Sequence, residues 1–263
     1  RRFSGNQIDY GYLTVEINKG NSSATFTLHG PEEECRGGLE GVLAQGAKFW
    51  LLQLARELED AILHLRTNRS DINCWIFKAV GESEILNSYD SLLLDGVGNW
   101  FLEEIRLFWM RTLKRLDITS RSLMAIVDSG SGFSGILFEL ALACDRIYML
   151  DDDAVCFVQL TQMNFGRLPM ANGLSRLENR FMGDCEALAE VESVLNQRVN
   201  ATDAIRLGLV TSAPDEIDWD EELRLAIEER ASFSGDALTG LEANLRFAGP
   251  ETMETKIFGR LSA

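Results

Sequence analysis

Short runs of alternating apolar and polar residues open the chain, and two of them predict a β-hairpin. Residues 12–18 read YLTVEIN and residues 24–30 read ATFTLHG, with the polar segment KGNSS between them. Successive side chains of a strand point to opposite faces, so a period of two is typical of strands with one buried face. The residues that follow, 31–47, are rich in glycine and charge, and we predict a loop there.

The period then changes from two to that of a helix. Leucine and isoleucine recur every three or four residues over 50–66, with acidic residues on the opposite face, and a similar pattern returns over 100–116. Both segments are predicted to be amphipathic helices. Short, mainly apolar runs predict buried strands at 74–80 and 121–127 and two more short strands at 145–150 and 154–160. The stretch 80–97 has neither period clearly, and we predict a loop.

Beyond residue 172 the pattern is mainly helical. Predicted helices lie near 183–195, 201–207, 219–231 and 236–246, with Gly208 as a helix C-cap. Strands alternating with helices predict an α/β fold. We divide the chain into a core over 1–215 and an α-helical C-terminal region over 216–263. Because the last residues, KIFGRLSA, continue a helical pattern, we expect the chain to be part of a longer protein.

Composition narrows the function classes. The formal net charge is −16, and a nucleic-acid or anionic-membrane surface needs clustered positive charge, so neither partner is expected. No apolar run reaches the ~18 residues that cross a membrane. The N-terminal residues lack the apolar stretch of a signal peptide. Five scattered cysteines are typical of free thiols in a reducing compartment, and we expect a cytoplasmic protein.

Histidine and cysteine spacing argues against two further kinds of site. The chain has two histidines, His29 and His64, and no C-x-x-C or H-x-x-x-H spacing. A zinc site needs a closely spaced set of such ligands, and a Ser-His-Asp relay needs a histidine base. We therefore expect neither a metal site nor a histidine-activated nucleophile.

The stretch SGFSGILFELALACDRIYM, residues 131–149, carries the main chemical candidate. It predicts a glycine turn that leads into a helix, and the first N–H groups of a helix have no partner within it, so they can bind an anion. Gly135 lets the backbone bend and approach a ligand. Glu139 stands among apolar residues, which is unusual for a solvated charge. It is either an acid/base group or a residue with a packing role.

Three segments resemble the crotonase (enoyl-CoA hydratase/isomerase) superfamily. They are ELALACD at 139–145, QLTQMNFGRLPMANGLSRL at 159–177 and ATDAIRLGLV at 201–210, in the family's order and spacing. The resemblance implies a crotonase-like ββα spiral and an acyl-CoA thioester as substrate. It also implies that Glu139 is an acid/base residue and that the turn at Gly135 and Ile136 supplies an oxyanion-hole N–H.

Several residues depart from the family pattern. Ile136 stands where the family uses glycine, and its side chain would crowd a thioester. The family's second glutamate falls on Gln162 or on Thr161, and neither can act as a general base. A plain hydratase is thus disfavoured. Gln162 would position water or substrate, or else be a buried amide. Asn164 would contact substrate or cap a turn.

Two arginines complete the set of candidates. Arg176 and Arg180 are interpreted as solvated face charges, although either could meet a CoA phosphate.

One branch of the superfamily resembles the chain from about residue 50 to the end, most specifically in DALTGLEANLRFAGPETMETKIFGRLSA. This branch has two tandem crotonase-like halves and opens the ring of 2,3-epoxybenzoyl-CoA hydrolytically, with formate release, in aerobic benzoate degradation. The resemblance implies a lyase or hydrolase that needs no cofactor, since CoA is part of the substrate. It also implies a first half in the same chain as partner, and a homo-oligomer, with a dimer expected.

Three alternatives stay open for the residues themselves. This half could be a non-catalytic scaffold that packs on a catalytic half and builds the dimer. It could have another hydratase/isomerase-like activity, or it could be a module that only binds acyl-CoA. If Glu139 is catalytic, it should lie near a pocket with its pKa raised by burial.

Overall fold

The computed structural model describes residues 1–152 and 154–247. Seven strands form one sheet in chain order: β1 (Arg2–Ser4), β2 (Gln7–Asp9), β3 (Leu13–Asn18), β4 (Ser23–His29), β5 (Cys74–Val80), β6 (Ser122–Val127) and β7 (Arg146–Met149). Neighbours from β1 to β4 are antiparallel, and those from β4 to β7 are parallel. Two more strands, β8 (Val158–Gln159) and β9 (Arg198–Val199), pair separately. The hairpin predicted from the alternating runs is β3–β4.

Ten helices connect and cover the strands of the described ranges. They are α1 (Gly38–Gln45), α2 (Trp50–Asn68), α3 (Ser83–Asp95), α4 (Trp100–Asp117), α5 (Gly135–Leu142), α6 (Arg176–Arg180), α7 (Cys185–Glu192), α8 (Ala201–Arg206), α9 (Trp219–Ser232) and α10 (Gly235–Arg246). Short 3-10 turns lie at Gly46–Lys48 and Gln162–Asn164. None of the helices within these ranges is both long and apolar enough to cross a membrane.

The sheet is buried on both faces along its parallel strands. On one face α2 and α4 pack together in the main core, where the indole N–H of Trp109 donates to the carbonyl of Leu51 at 2.8 Å. On the other face a smaller cluster that includes Ile76 and Met124 packs against Ala226 of α9. Burial on both faces explains why β5 and β6 are mainly apolar and do not alternate.

Two predicted loops contain helices. Residues 31–47 include α1, and residues 80–97 include α3. In α3 the buried side chains Leu86, Tyr89, Asp90 and Leu93 recur at helical spacing. The sequence does not reveal this buried stripe of α3, because one of its members, Asp90, is a carboxylate and polar residues separate the others.

The C-terminal predictions agree with the structure where it describes them. Residues 219–232 and 235–246 are helical. Gly208 follows α8 with φ of +69°, and its N–H donates to the carbonyl of Ile205 at 2.9 Å. The division of the chain at residue 215 stays a prediction, and the end of the predicted helical region, residues 248–263, lies outside the described residues.

Candidate functional site

Helix α5 is the element that carries the candidate carboxylate. It begins after the turn that follows β6, and all eight of its residues are buried. Its sequence, GILFELAL, has one charged residue, Glu139, which is 1% exposed. A carboxylate at such a depth needs partners, because an unpaired buried charge is strongly destabilising.

Glu139 has hydrogen-bond partners at both of its oxygens. Its Oε1 accepts from Nη1 of Arg176 at 3.0 Å, and its Oε2 accepts from Nδ2 of Asn164 at 3.0 Å. The other end of the Arg176 guanidinium, Nη2, donates to Oδ2 of Asp117 at 2.8 Å. Arg176 is 3% exposed and Asp117 is also 3% exposed. We call Glu139, Arg176, Asp117 and Asn164 the Glu139 cluster.

Burial and ion pairing act against each other in this cluster. Burial raises the pKa of Glu139, and the cation of Arg176 with the amide of Asn164 opposes the rise. Burial likewise raises the pKa of Asp117 against the pull of Arg176. Burial by itself would lower the pKa of Arg176, but the two carboxylates more than offset this and the pKa is raised. The arginine therefore stays charged, shared between two acids.

The N–H of Ile136, expected to face a substrate, already has an acceptor within the chain. It donates to Oδ2 of Asp90 on α3 at 3.0 Å, and the hydroxyl of Thr161 donates to the same oxygen at 2.9 Å. Asp90 is 1% exposed. Burial, with the negative charge of Glu139 as a lesser contribution, raises the pKa of Asp90 to about 7.

Gly135 is glycine because Asp90 lies so close. A Cβ at this position would fall 1.6 Å from Oδ2 of Asp90, and the backbone φ of +50° also disfavours a side chain. The carbonyl of Gly135 accepts from Nδ2 of Asn164 at 3.0 Å. The glycine thus admits a carboxyl group from within the chain to the start of α5.

The residues at and beside the position of the family's second glutamate differ in burial. Gln162 is exposed, so its interpretation as a buried amide is wrong, and among the described residues no hydrogen bond joins it to Glu139. Thr161 and Asn164 are buried and cap the turn 162–164 reciprocally. Asn164 caps the turn as predicted and in addition contacts Glu139.

The two arginines are not solvated face charges. Arg176 is inside the Glu139 cluster, and Arg180 is half-buried, with its Nε donating to the carbonyl of Gly208 at 2.6 Å. Both line a cavity of about 250 Å³ between the end of α5, α6 and the C-terminal helices α9 and α10. Charged side chains of both signs surround it: Arg176, Arg180, Arg230, Arg246, Asp117, Asp145 and Glu242. Glu139 itself does not line this cavity.

Asp90 and Asp117 are the site residues that sequence reasoning missed. Asp90 occupies a position of the apolar stripe of α3, between Leu86 and Leu93, and a carboxylate at a core position is a readable signal once the helix is recognised. Asp117 ends α4 and offers no such signal. The described residues contain no group of three or more histidine, cysteine or acidic side chains placed to hold a metal.

Solved structures identify the fold. An enoyl-CoA hydratase of Geobacillus kaustophilus superposes with a TM-score of 0.66 at 19% identity, over 97% of this chain and 88% of that one. An enoyl-CoA hydratase/isomerase of Marinobacter aquaeolei gives 0.62 at 16% identity, over 95% and 89%. Pseudomonas aeruginosa DspI gives 0.63 at 20% identity, over 93% and 84%. The chain therefore has the crotonase fold predicted from its sequence.

A curated relative shows that the chain is also similar in sequence to one particular enzyme. The chain is 46% identical over 255 residues to the benzoyl-CoA-dihydrodiol lyase of Aromatoleum evansii. The matched region is 97% of this chain but 46% of that protein, so the chain spans slightly less than half of the relative's length. No protein-family model matches the chain. The resemblance predicted from the sequence is confirmed at this level.

Proposed function

We propose that the chain is the second of two crotonase-like halves of an enzyme that opens the ring of 2,3-epoxybenzoyl-CoA by hydrolysis, with release of formate, in aerobic benzoate degradation. The identity to the benzoyl-CoA-dihydrodiol lyase across nearly the whole chain supports this activity. The remaining length of that relative leaves room for a first half. The reaction needs no added cofactor, since CoA belongs to the substrate.

Within that enzyme, this half serves as a scaffold rather than as the acid/base centre. The observation that carries this proposal is the Glu139 cluster: both carboxylate oxygens of Glu139 are bonded inside the chain, and the side chain is 1% exposed. A general acid or base must come within hydrogen-bond reach of the substrate atom it serves. The Ile136 N–H is likewise already bonded to Asp90. The carboxylate and the backbone N–H that the family uses are both present, but each is hydrogen-bonded within the chain.

A catalytic role for Glu139, with another hydratase/isomerase-like activity, is the second candidate. The raised pKa values of Glu139 and Asp90 favour it, because perturbed carboxyl groups close together are typical of acid/base sites. Buried groups of structural networks also have perturbed pKa values, and Glu139 belongs to such a network through its ion pair with Arg176.

Turnover of 2,3-epoxybenzoyl-CoA by the intact protein tests the activity, and absence of ring-opened product would contradict it. Replacing Glu139 with Gln tests the scaffold role. We expect kcat/KM within about threefold of the wild type, since loss of a working general acid or base costs roughly 10²-fold or more.

The matched control for that variant is Asp117→Asn, which removes the other carboxylate bonded to Arg176 and leaves Glu139 in place. Equal small losses in both variants indicate a shared structural effect. A loss of about 10²-fold confined to Glu139→Gln in a folded protein would assign the chemistry to this half.

The charge and the cysteines of the chain bear on its cellular location and its partners. We infer that it works in the cytoplasm as a homo-oligomer, a dimer in the simplest case, with neither nucleic acid nor membrane as partner. The net charge of −16 supports the absence of nucleic-acid and anionic-membrane partners, and the five free cysteines support a reducing compartment. Sedimentation of the intact protein at a monomer's mass would contradict the oligomer.

A further inference from the structure

The cavity between the end of α5 and the C-terminal helices is lined by charged and apolar side chains together. Its volume of about 250 Å³ gives room for several water molecules or for one small organic molecule. Met182 and Leu245 line it and are 78% and 60% exposed, so the cavity opens to solvent on their side. Its other apolar lining residues are Leu142, Ala143 and Met170.

One of the four arginines that line this cavity has no acidic partner among the described residues. Arg176 and Arg246 are hydrogen-bonded to buried carboxylates, and Nη1 of Arg230 lies 3.7 Å from Oε1 of Glu242. Arg180 bonds only a backbone carbonyl, through its Nε. Burial lowers the pKa of Arg180, and no described carboxylate opposes that effect. Because arginine stays protonated in proteins, Arg180 is a half-buried cation without a counter-charge in the described part of the chain.

Three polar atoms of lining residues are buried without a hydrogen-bond partner within the described ranges. They are Nε of Arg176, Nε of Arg230 and Oε2 of Glu242. Arg176 is 3% exposed and Glu242 is 1% exposed. Buried polar atoms are nearly always bonded, so three such atoms on the residues around one cavity indicate that a polar group binds there.

The chemistry of these atoms favours a hydrogen-bond acceptor with a negative charge. The two arginine N–H groups can only donate. Burial and the nearby charge of Asp145 raise the pKa of Glu242, and a protonated carboxyl group has an O–H that donates as well. The guanidinium of Arg180 can form two parallel hydrogen bonds to one carboxylate, and its single charge matches a monoanion better than a phosphate dianion.

We propose that this cavity is a binding site for a small carboxylate with an apolar body, with Arg180 as the residue that neutralises its charge. The carboxylate lies against the arginines, and the methionine and leucine side chains that line the cavity contact the hydrocarbon part. The inference does not rest on the proposed function, and Glu139 does not line this cavity.

Titration calorimetry of the intact protein with benzoate tests the ligand class. Benzamide has nearly the same shape without the charge, and formate has the charge without the apolar body. We expect benzoate to bind at least about tenfold more tightly than either, because each lacks one of the two features that the cavity recognises. Affinity for inorganic phosphate equal to that for benzoate, or no binding of benzoate, would contradict the proposal.

Arg180→Met shows whether benzoate binds in this cavity or elsewhere in the intact protein. The variant keeps the apolar stem and removes the charge, so we expect benzoate affinity to fall at least about tenfold. Arg180→Lys keeps the charge without the planar fork and should lose less. Arg224→Met is the matched control, since Arg224 pairs with Glu221 and Glu228 on the exposed face of α9, and it should bind benzoate as the wild type does. Unchanged benzoate affinity in a folded Arg180→Met protein would overturn the proposal.

A measurement on the wild type covers the case in which Arg180→Met does not fold. In protein labelled with 13C at the methionine methyl groups, the benzoate ring should shift the signals of Met170 and Met182, which line the cavity. Met163 lines a different cavity, and its signal should stay in place. A wild-type spectrum in which benzoate moves neither Met170 nor Met182 would overturn the proposal without any variant.

Discussion

Oδ2 of Asp90 lies 3.0 Å from the backbone nitrogen of Ile136, although 46 positions separate the two residues in the chain. The contact joins α3 to the start of α5 and fills the place at which the family resemblance implies an oxyanion donor. Together with the Arg176–Glu139 ion pair, this contact means that the two groups expected to meet a substrate, the Ile136 N–H and the Glu139 carboxylate, are bonded within the protein.

The pH dependence of stability should report Asp90. Its pKa is raised from 3.8 to about 7 in the folded protein, so the native state binds the proton more tightly than the unfolded state does. The resulting stabilisation is complete below pH 3.8 and is lost as the pH rises through about 7. We expect Asp90→Asn to remove this slope, which is at most ~1.4 kcal/mol per pH unit.

Urea unfolding of the wild type and Asp90→Asn across that pH window measures the effect. Glu139 and Asp117 contribute a slope of the same sign, since burial also raises their pKa values, and the difference between the two proteins isolates Asp90. Parallel curves for the two proteins would contradict the prediction.

Gly135→Ala should be strongly destabilising. The new Cβ would fall 1.6 Å from Oδ2 of Asp90, and φ is +50°. We expect a loss of at least ~3 kcal/mol in the free energy of unfolding, from overpacking together with backbone strain. Gly130→Ala is the matched control: φ there is +77°, and a Cβ would meet nothing within 4 Å. It should cost roughly 1–2 kcal/mol, from the left-handed conformation alone.

The double variant Asp90→Gly/Gly135→Ala sharpens that test. If the clash with Asp90 is the main cost, the second substitution will be less damaging when Asp90 is already absent. Strict additivity of the two single effects in chemical denaturation would show that backbone strain alone is responsible.

Arg176→Met should lower stability by roughly 3–5 kcal/mol, because it leaves two buried carboxylates without their shared cation. Arg224→Met is a control of similar chemistry, since Arg224 pairs with Glu221 and Glu228 on the exposed face of α9. Exposed ion pairs contribute little, so this variant should unfold close to the wild type. Equal effects in the two variants would mean that the Glu139 cluster is not buried in solution.

Arg246→Ala should release the C-terminal helices. The Arg246 guanidinium binds Asp145 at 2.6 Å and donates to the carbonyls of Thr119 and Arg121, so it ties α10 to the ends of α4 and β6. We expect faster cleavage within 216–247 by a protease at low concentration, because local opening governs such cuts. Unchanged cleavage there would indicate that apolar contacts such as Leu238 hold α10 instead.

Local patterns were enough for much of the fold. The alternation at 12–30, the helical periods at 50–66 and 100–116, and the mainly apolar run at 74–80 each predicted an element that the structure contains. These succeed because burial of one face imposes a period on the chain itself. The pattern failed at α3, where the stripe that faces the core includes Asp90.

The state of the candidate site depended on contacts between segments far apart in the chain. Sequence analysis singled out Glu139, Gly135, Ile136 and Asn164, and the structure brings these four residues together. Their partners Asp90 and Arg176 come from other elements, as does Asp117, which binds Arg176, and Gln162 lies on the surface. From the sequence alone, the Glu139 carboxylate and the Ile136 N–H both look free to bind a substrate. Whether these two groups are free to bind a ligand or are bonded inside the protein depends on which side chains the folded core brings within hydrogen-bond distance. No local period in the sequence encodes that.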